Sequence, residues 1–300
     1  MIVGITGGLG LVGKALRGKL TTPLVLLTRR EPADIKSNEK LVIGNFADKK
    51  VADEFVKNLD VLIHAATGVG PRSEFEERYI SDDFVGTIEL ARSFFSVNPK
   101  GHFIYLSTAG GLYDLEDPGV KTEVTEVHPK VLYGAIKLLV EDTLSNLKLS
   151  DGKISILRAS ALYGDSLREN QTVGLIDKLL KSTIENTPVP IFDKMESARD
   201  YLHVEDLVSA ILSLVSKPSM LSYEIYNVGT GIETSIVEVI KLINSISESQ
   251  VKVEFLPTPN KRTSLIVNSE KIKAYSGWES TISLREGVIK MYQELKTRNL

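Results

Sequence analysis

The chain has 300 residues, 36 basic and 39 acidic side chains with a net charge of −3, and no cysteine. That length buries a large core, as one α/β unit or as two lobes, and the interspersed charge gives neither nucleic acid nor a membrane surface a reason to bind. The lack of cysteine excludes a disulfide framework and any thiolate nucleophile or metal ligand.

No apolar stretch is long enough to span a bilayer, and the first residues read as a strand instead of a signal segment, so the expected location is cytoplasmic. The apolar run Met1 to Ile5 predicts a short buried strand. Thr6-Gly7-Gly8-Leu9-Gly10-Leu11-Val12-Gly13 follows at once, then a helical pattern carrying Leu16 and Leu20. A strand, a glycine turn and a helix in that order predict a dinucleotide site. Gly7 permits the tight turn, Gly10 lets a pyrophosphate approach the backbone, and Gly13 lets the helix pack on its strand. The helix start at Leu11 and Val12 then faces the anion. A glycine-rich turn also serves structure alone; its place after the first strand is what favours the nucleotide.

Leu24 to Thr28 is a second apolar run, ending at Arg29 and Arg30. An acidic residue at that strand end would hold the free ribose 2′-hydroxyl of NAD. Two guanidinium groups suit a 2′-phosphate instead, which favours NADP over NAD; the plainer alternative is a solvated turn. Leu41 to Gly44 predicts a third strand, followed by Asn45, and residues 48–58 a helix. Val61 to Ala66 predicts a fourth strand, whose small Ala65 and Ala66 leave room for a cofactor. His64, inside that apolar run, reads as a packed histidine and not as a base. Glu74 to Val97 predicts one long helix, and Phe103 to Thr108 a fifth strand delivering the hydroxyls of Ser107 and Thr108 to the carboxyl edge. The alternation predicts an α/β doubly wound parallel sheet.

Leu115 to Pro129 reads as a loop. Tyr133 and Lys137, four apart, share a helical face and lead into a helix over Leu138 to Leu147. Ile154 to Leu157 is a sixth strand. Beyond it the pattern gives a helix over Val173 to Ile184, an edge strand at Pro188 to Phe192 and a helix from Glu205 to Ser216. A strand at Glu224 to Val228, a helix at Ile236 to Ile246, a strand at Val251 to Leu256 and a closing helix at Ser283 to Leu295 complete it. Residues 1–168 form the expected dinucleotide-binding domain, with segments near 200–230 returning to it; residues 169–300 are mainly a smaller substrate lobe.

These pieces make a mechanism that needs no metal. The Lys137 ammonium and an oxidised nicotinamide ring would lower the pKa of the Tyr133 phenol, making it a proton acceptor near neutral pH. A hydroxyl from Thr108 or Ser107 would bond the same substrate oxygen, giving proton and hydride exchange between an alcohol and a ketone.

The chain resembles an extended short-chain dehydrogenase/reductase of the sugar-nucleotide epimerase/dehydratase type, nearly end to end. The resemblance rests on Thr6 to Gly13, Ile63 to Ala66, Gly86-Thr87, Tyr133 with Lys137, Arg158 to Gly164, Arg199 to Asp206, Tyr226 to Gly229 and Gly277-Trp278. It implies Tyr133 as acid/base, Lys137 on the nicotinamide ribose, Arg199 and Arg262 on the diphosphate of a nucleotide sugar with Thr67 beside the substrate, and a homodimer. A surface ion pair is the plainer reading of Arg199-Asp200. Four positions depart from the family pattern. Ala109 stands where the catalytic serine or threonine is usual, Asp83 and Ala161 where asparagine is common, and Asn45 where an aspartate commonly faces the adenine. The resemblance implies a sugar-nucleotide 4-epimerase, then an NADPH-dependent 4-ketoreductase, with a non-catalytic NADP-binding sensor as the alternative of another class. Ala109-Gly110 replaces the Asp-Glu pair of the dehydratases, which disfavours that activity. Surface polysaccharide biosynthesis is the usual setting.

Overall fold

The computed structural model describes residues 1–164, 174–217, 221–257 and 261–298. Its first half runs β1 (Val3–Thr6), α1 (Leu11–Lys19), β2 (Leu24–Thr28), β3 (Glu39–Ile43), α2 (Lys49–Phe55) and β4 (Val61–His64). A π-helical stretch, Tyr79–Gly86, continues directly as α3 (Thr87–Val97), followed by β5 (His102–Thr108), β6 (Val120–Lys121), α4 (Leu132–Ser145) and β7 (Lys153–Ala159). The second half runs β8 (Ala161–Tyr163), α5 (Leu175–Glu185), β9 (Val189–Ile191), β10 (Ala198–His203), α6 (Val204–Ser216), β11 (Tyr223–Val228) and β12 (Glu233–Ser235). Then come α7 (Ile236–Asn244), β13 (Val253–Phe255), β14 (Ile266–Val267), α8 (Glu270–Ser276) and α9 (Leu284–Arg298).

Seven strands form one sheet in the order β11-β7-β5-β4-β1-β2-β3, every pairing parallel. β1, β2 and β4 are buried along their whole length, as strands covered on both faces must be, which is why they read as unbroken apolar runs. Leu16 of α1, Leu207 and Ile211 of α6 and Ile272 of α8 close one face. Phe55 of α2, Leu90 and Phe94 of α3 and Val140 and Leu144 of α4 close the other. The fold is therefore the doubly wound sheet that the sequence predicts. A third core gathers Leu179, Val239 and Val288 from α5, α7 and α9. β11 pairs with β7 in the large sheet. The predicted domain boundary at 168/169 and the helix start at Val173 lie outside the described residues.

Chain order runs outward from β1 in both directions, leaving a crevice at the carboxyl ends of β1 and β4, where open α/β sheets take ligands. Thr6 and His64 stand level across it. Local caps sharpen the elements: the Asp48 carboxylate accepts from the Lys50 and Val51 amides to start α2, and Ser235 with Glu238 makes a reciprocal capping box on α7.

Several elements differ from the sequence reading, and β8, β12, β14 and α8 have no counterpart in it. The helix expected from Glu74 starts late and opens in π geometry, because Glu74 and its charged neighbours have no apolar face to lay on the sheet. The Leu115 to Pro129 loop contains β6, which pairs with β14 far along the chain. The helix after Tyr133 starts earlier, at Leu132, so Tyr133 and Lys137 both lie within it. β10 was not anticipated, since Arg199 and Asp200 interrupt its apolar pattern; β12 and β8 flank it.

Candidate active site

The glycine turn is built for close approach. Gly7 has φ +70°, a left-handed conformation, and a Cβ there would stand 2.8 Å from the Ala66 amide nitrogen. A Cβ on Gly13 would fall 2.2 Å from the Gly7 carbonyl oxygen, so only glycine lets α1 start this near the turn. Gly10 differs: the Gly7 oxygen at 3.3 Å is all that its Cβ would meet, and its outer side is open. Gly10 caps α1 with no side-chain acceptor, leaving the first amides, at Leu11 and Val12, without an intrahelical partner. An open, acceptor-free helix start over small Ala65 and Ala66 fits a pyrophosphate, and these residues are suited to hold a nicotinamide dinucleotide.

His64 is a strut beneath this turn. Its Nδ1 lies 2.8 Å from the Thr6 hydroxyl and its Nε2 3.0 Å from that of Thr87. Thr87 donates to the Asp83 carbonyl, so it accepts from Nε2–H, and Thr6 donates to Nδ1 while accepting from the Ala66 amide. Both ring nitrogens are satisfied in the neutral ring, and burial lowers its pKa to about 3. His64 sits as a packed, hydrogen-bonded histidine.

At the end of β2, Arg29 and Arg30 are exposed, and neither guanidinium has a hydrogen bond or ion pair among the described residues. Asn45, beyond β3, donates to Asp82 at 2.9 Å and accepts from the Ala47 amide. Its amide braces the loop. Thr67 is exposed and donates to the Val69 carbonyl at 3.1 Å.

The residues that the sequence singles out for proton transfer stand on α4 and β5. Lys137 is buried; its Nζ donates to the Leu106 carbonyl at 2.8 Å and sits 4.5 Å over the Tyr105 ring. Burial lowers its pKa to about 8, opposed by the charges of Asp83 and Glu141. An ammonium has three donors, so two remain for a ribose. One turn earlier, Tyr133 packs with Thr108 against Gly111: burial pushes the phenol pKa up, the Thr108 hydroxyl pulls it back, and Asp83 adds to the rise.

The two adjacent hydroxyls have different surroundings. Ser107 points into the core and donates to Glu141, which also receives the Arg158 guanidinium, with Nη2 at 2.6 Å. Arg158 in turn reaches the Tyr113 hydroxyl, which donates to Asn227. Thr108 stays half-buried beside Tyr133, accepting from the Gly111 amide at 3.2 Å. The fully buried Ala109 packs with Tyr113, Leu265 and Val267. The Glu141–Arg158 pair escaped the sequence reading. Its signal was Glu141 standing one turn beyond Lys137 on the same helical face.

On β10, Arg199 pairs with Asp193 at 3.3 Å and donates to the Ala198 and Thr263 carbonyls. Arg262 pairs with Glu233 and donates to the Glu196 carbonyl at 2.9 Å. The Arg199-Asp200 ion pair does not form, because neighbours on a strand face opposite sides. Asp200 is fully buried and accepts from the Thr230 and Gly231 amides. No hydrogen bond or ion pair links either arginine to Tyr133 or Thr108 among the described residues. There, too, no cluster of side chains forms a metal site and no helix is long and apolar enough to cross a membrane.

A glycine cradle at the head of a parallel sheet, with a tyrosine and a buried lysine on α4, is the arrangement expected of a nicotinamide-dependent enzyme. The chain belongs to the NAD dependent epimerase/dehydratase family, whose profile matches residues 3–229. It is 25% identical to the dTDP-4-dehydro-6-deoxyglucose reductase of Escherichia coli, over 98% of this chain and 97% of that one. It is 24% identical to a putative UDP-glucose 4-epimerase of Methanocaldococcus jannaschii, over 98% of each. Among solved structures, the UDP-glucose 4-epimerase of Thermotoga maritima with UDP-glucose superposes with a TM-score of 0.89 at 22% identity, covering 100% of both chains. The UDP-glucuronic acid 4-epimerase of Bacillus cereus, with UDP-glucuronic acid and NAD, gives 0.85 at 20% identity over 99% and 100%. The chain is thus a sugar-nucleotide enzyme of the epimerase, dehydratase and reductase group.

Proposed function

We propose that the protein oxidises and reduces C4 of a nucleotide-linked sugar, as a 4-epimerase. The carrying observation is Tyr133, packed with Thr108 against Gly111 and one turn from the buried Lys137, at the same carboxyl edge of the sheet as the glycine cradle. A bound nicotinamide supplies the hydride acceptor and donor. Tyr133 takes the proton of the 4-hydroxyl and later returns one to the 4-keto oxygen. Thr108 holds that oxygen, and Lys137 holds the ribose while favouring the phenolate. Ser107, held by Glu141, keeps β5 and α4 in register and takes no part. Arg199 and Arg262 would receive the substrate diphosphate by exchanging Asp193 and Glu233 for phosphate oxygens. The unpaired Arg29 and Arg30 support NADP over NAD.

A second reading, a 4-ketoreductase using the same residues in one direction, is favoured by those two arginines and by the likeness to the Escherichia coli reductase. Denaturing the purified protein and identifying the released nucleotide separates the two. An epimerase must keep its hydride through both half-reactions, so near-stoichiometric retained cofactor supports it. An empty protein that binds NADPH reversibly supports the reductase.

A further inference from the structure

Asn45 and Asp82 meet at the carboxyl edge of the sheet from elements far apart in the chain. Thr28 pairs with Ile43, and the Gly44 amide donates to the Thr28 carbonyl at 2.8 Å, so Asn45 stands beside the end of β2. Its Nδ2 donates to Asp82 Oδ2 at 2.9 Å, and its Oδ1 accepts from the Ala47 amide at 3.1 Å. An acceptor at one end and a donor at the other fix which way the amide is turned. Asp82 belongs to the π-helical stretch, whose end packs on the same loop: a Cβ on Gly86 would fall 2.6 Å from that of Ala47. The Ser81 hydroxyl donates to Asp82 Oδ1 at 3.1 Å. The half-buried carboxylate has no ion pair among the described residues, and these two bonds fill two of its roughly four acceptor positions.

A dinucleotide laid along this edge has its parts in strand order. The glycine turn after β1 takes the pyrophosphate and the end of β2 the adenosine ribose. The base then comes to β3, one strand spacing of about 4.8 Å farther on. Adenine brings an exocyclic amine, which is a donor and needs an acceptor. We propose that Asp82 is the acceptor that reads the adenine amine of the dinucleotide, and that Asn45 holds its carboxylate toward the base. It rests on the dinucleotide reading of the glycine cradle and is independent of the sugar and of the direction of the reaction. The same pair accounts for the departure at position 45. An aspartate there would stand within hydrogen-bond distance of Asp82, carboxylate against carboxylate. Asparagine removes that repulsion and turns the neighbour into a donor, and the one carboxylate left beside the base comes from the helix and not from the strand.

The probes are NADH or NADPH, whichever the protein binds more tightly, and its hypoxanthine counterpart, in which a carbonyl replaces the amine. Each is titrated into the full chain by nicotinamide fluorescence or, where the protein retains a nucleotide, by displacing it; thermal melts check the fold of every variant. The parent should bind the adenine form about 10-fold more tightly or better, as a hydrogen bond to a charged group gives. Asp82→Ala should weaken the adenine form about 10-fold and leave the hypoxanthine form nearly unchanged, so that the preference disappears. Asn45→Asp added to Asp82→Ala returns a carboxylate to the same place and should restore the preference. A merely structural Asp82 would instead lower both affinities together and gain nothing from Asn45→Asp. A parent that binds both forms equally, or an Asp82→Ala protein that keeps the parent's preference, would overturn the proposal and leave the dinucleotide site standing. Asp82→Ser should behave as Asp82→Ala does, and loss of fold in both would overturn the proposal by assigning Asp82 to the loop alone. A folded parent that binds neither form would remove the dinucleotide site and the proposal with it.

Discussion

Gly10 and Gly13 lie in one turn, yet the structure gives them different reasons to be glycine, and alanine at each separates them. At Gly13 a methyl would meet backbone, with the Gly7 oxygen at 2.2 Å and the Gly8 Cα at 2.6 Å. Neither can swing aside as a side chain does. The turn must reshape, so Gly13→Ala should cost several kcal/mol, at or beyond the upper end of ~1–3 kcal/mol for overpacking. At Gly10 the backbone is extended, at φ −80° and ψ −178°, a conformation any residue adopts, and the nearest atom is 3.3 Å away. Gly10→Ala should cost the free protein about 1 kcal/mol, as a poorer helix cap. Its methyl, however, stands where a pyrophosphate would touch the backbone. A contact penalty of about 1–3 kcal/mol there weakens binding about 5- to 150-fold. Thermal melts give the first quantity, and fluorescence titration with NADH and NADPH gives the second. A Gly10→Ala protein that melts near the parent but binds as tightly would refute the cradle, and one that unfolds like Gly13→Ala would show that Gly10 serves the fold.

Further outcomes follow from the same coordinates. Lys137 has a folded-state pKa near 8, below its ordinary 10.5, so burial disfavours its charged form and stability should rise as pH climbs from about 8 towards 10.5. Urea unfolding of the parent and Lys137→Met should show the parent gaining about 2 kcal/mol on the variant between about pH 7 and 9.5; no relative gain would mean that Lys137 is not buried as described. Arg29→Ala with Arg30→Ala should weaken NADPH binding about 10-fold or more and leave NADH nearly unchanged, since a charged forked contact contributes about 1.5–3 kcal/mol; equal losses for both would remove the 2′-phosphate reading. Glu141→Ala strands the buried Arg158 guanidinium and should cost about 3–5 kcal/mol by denaturant unfolding. A change under about 1 kcal/mol would show that water or another partner replaces the carboxylate.

What the sequence disclosed was whatever is written locally. The glycine turn follows its strand at once, the apolar runs of a doubly covered sheet are continuous, and the spacing of Tyr133 and Lys137 is one helical turn. Features made by distant partners were not visible. β6 exists because β14 lies beside it, and β10 because β8 and β12 flank its charged residues. Ser107 and Thr108 read as equivalent hydroxyls until Glu141 and Arg158 hold one of them inside the core. Arg199 and Arg262 read as free phosphate ligands, yet each already has a carboxylate, at Asp193 and at Glu233. The charge partner of an arginine is chosen by packing between elements, not by the order of residues along a strand.

The central claim is that Tyr133 moves the proton in a redox step at the sugar, and a paired assay tests it. The parent and Tyr133→Phe, both shown to bind cofactor, are given UDP-glucose, UDP-glucuronic acid and a dTDP-4-keto-6-deoxy sugar, with epimer and alcohol products followed by chromatography. The account predicts turnover of at least one by the parent and a loss of about 10²- to 10⁴-fold in kcat for the variant, with cofactor affinity kept. A variant that turns over the confirmed substrate as fast as the parent would contradict it.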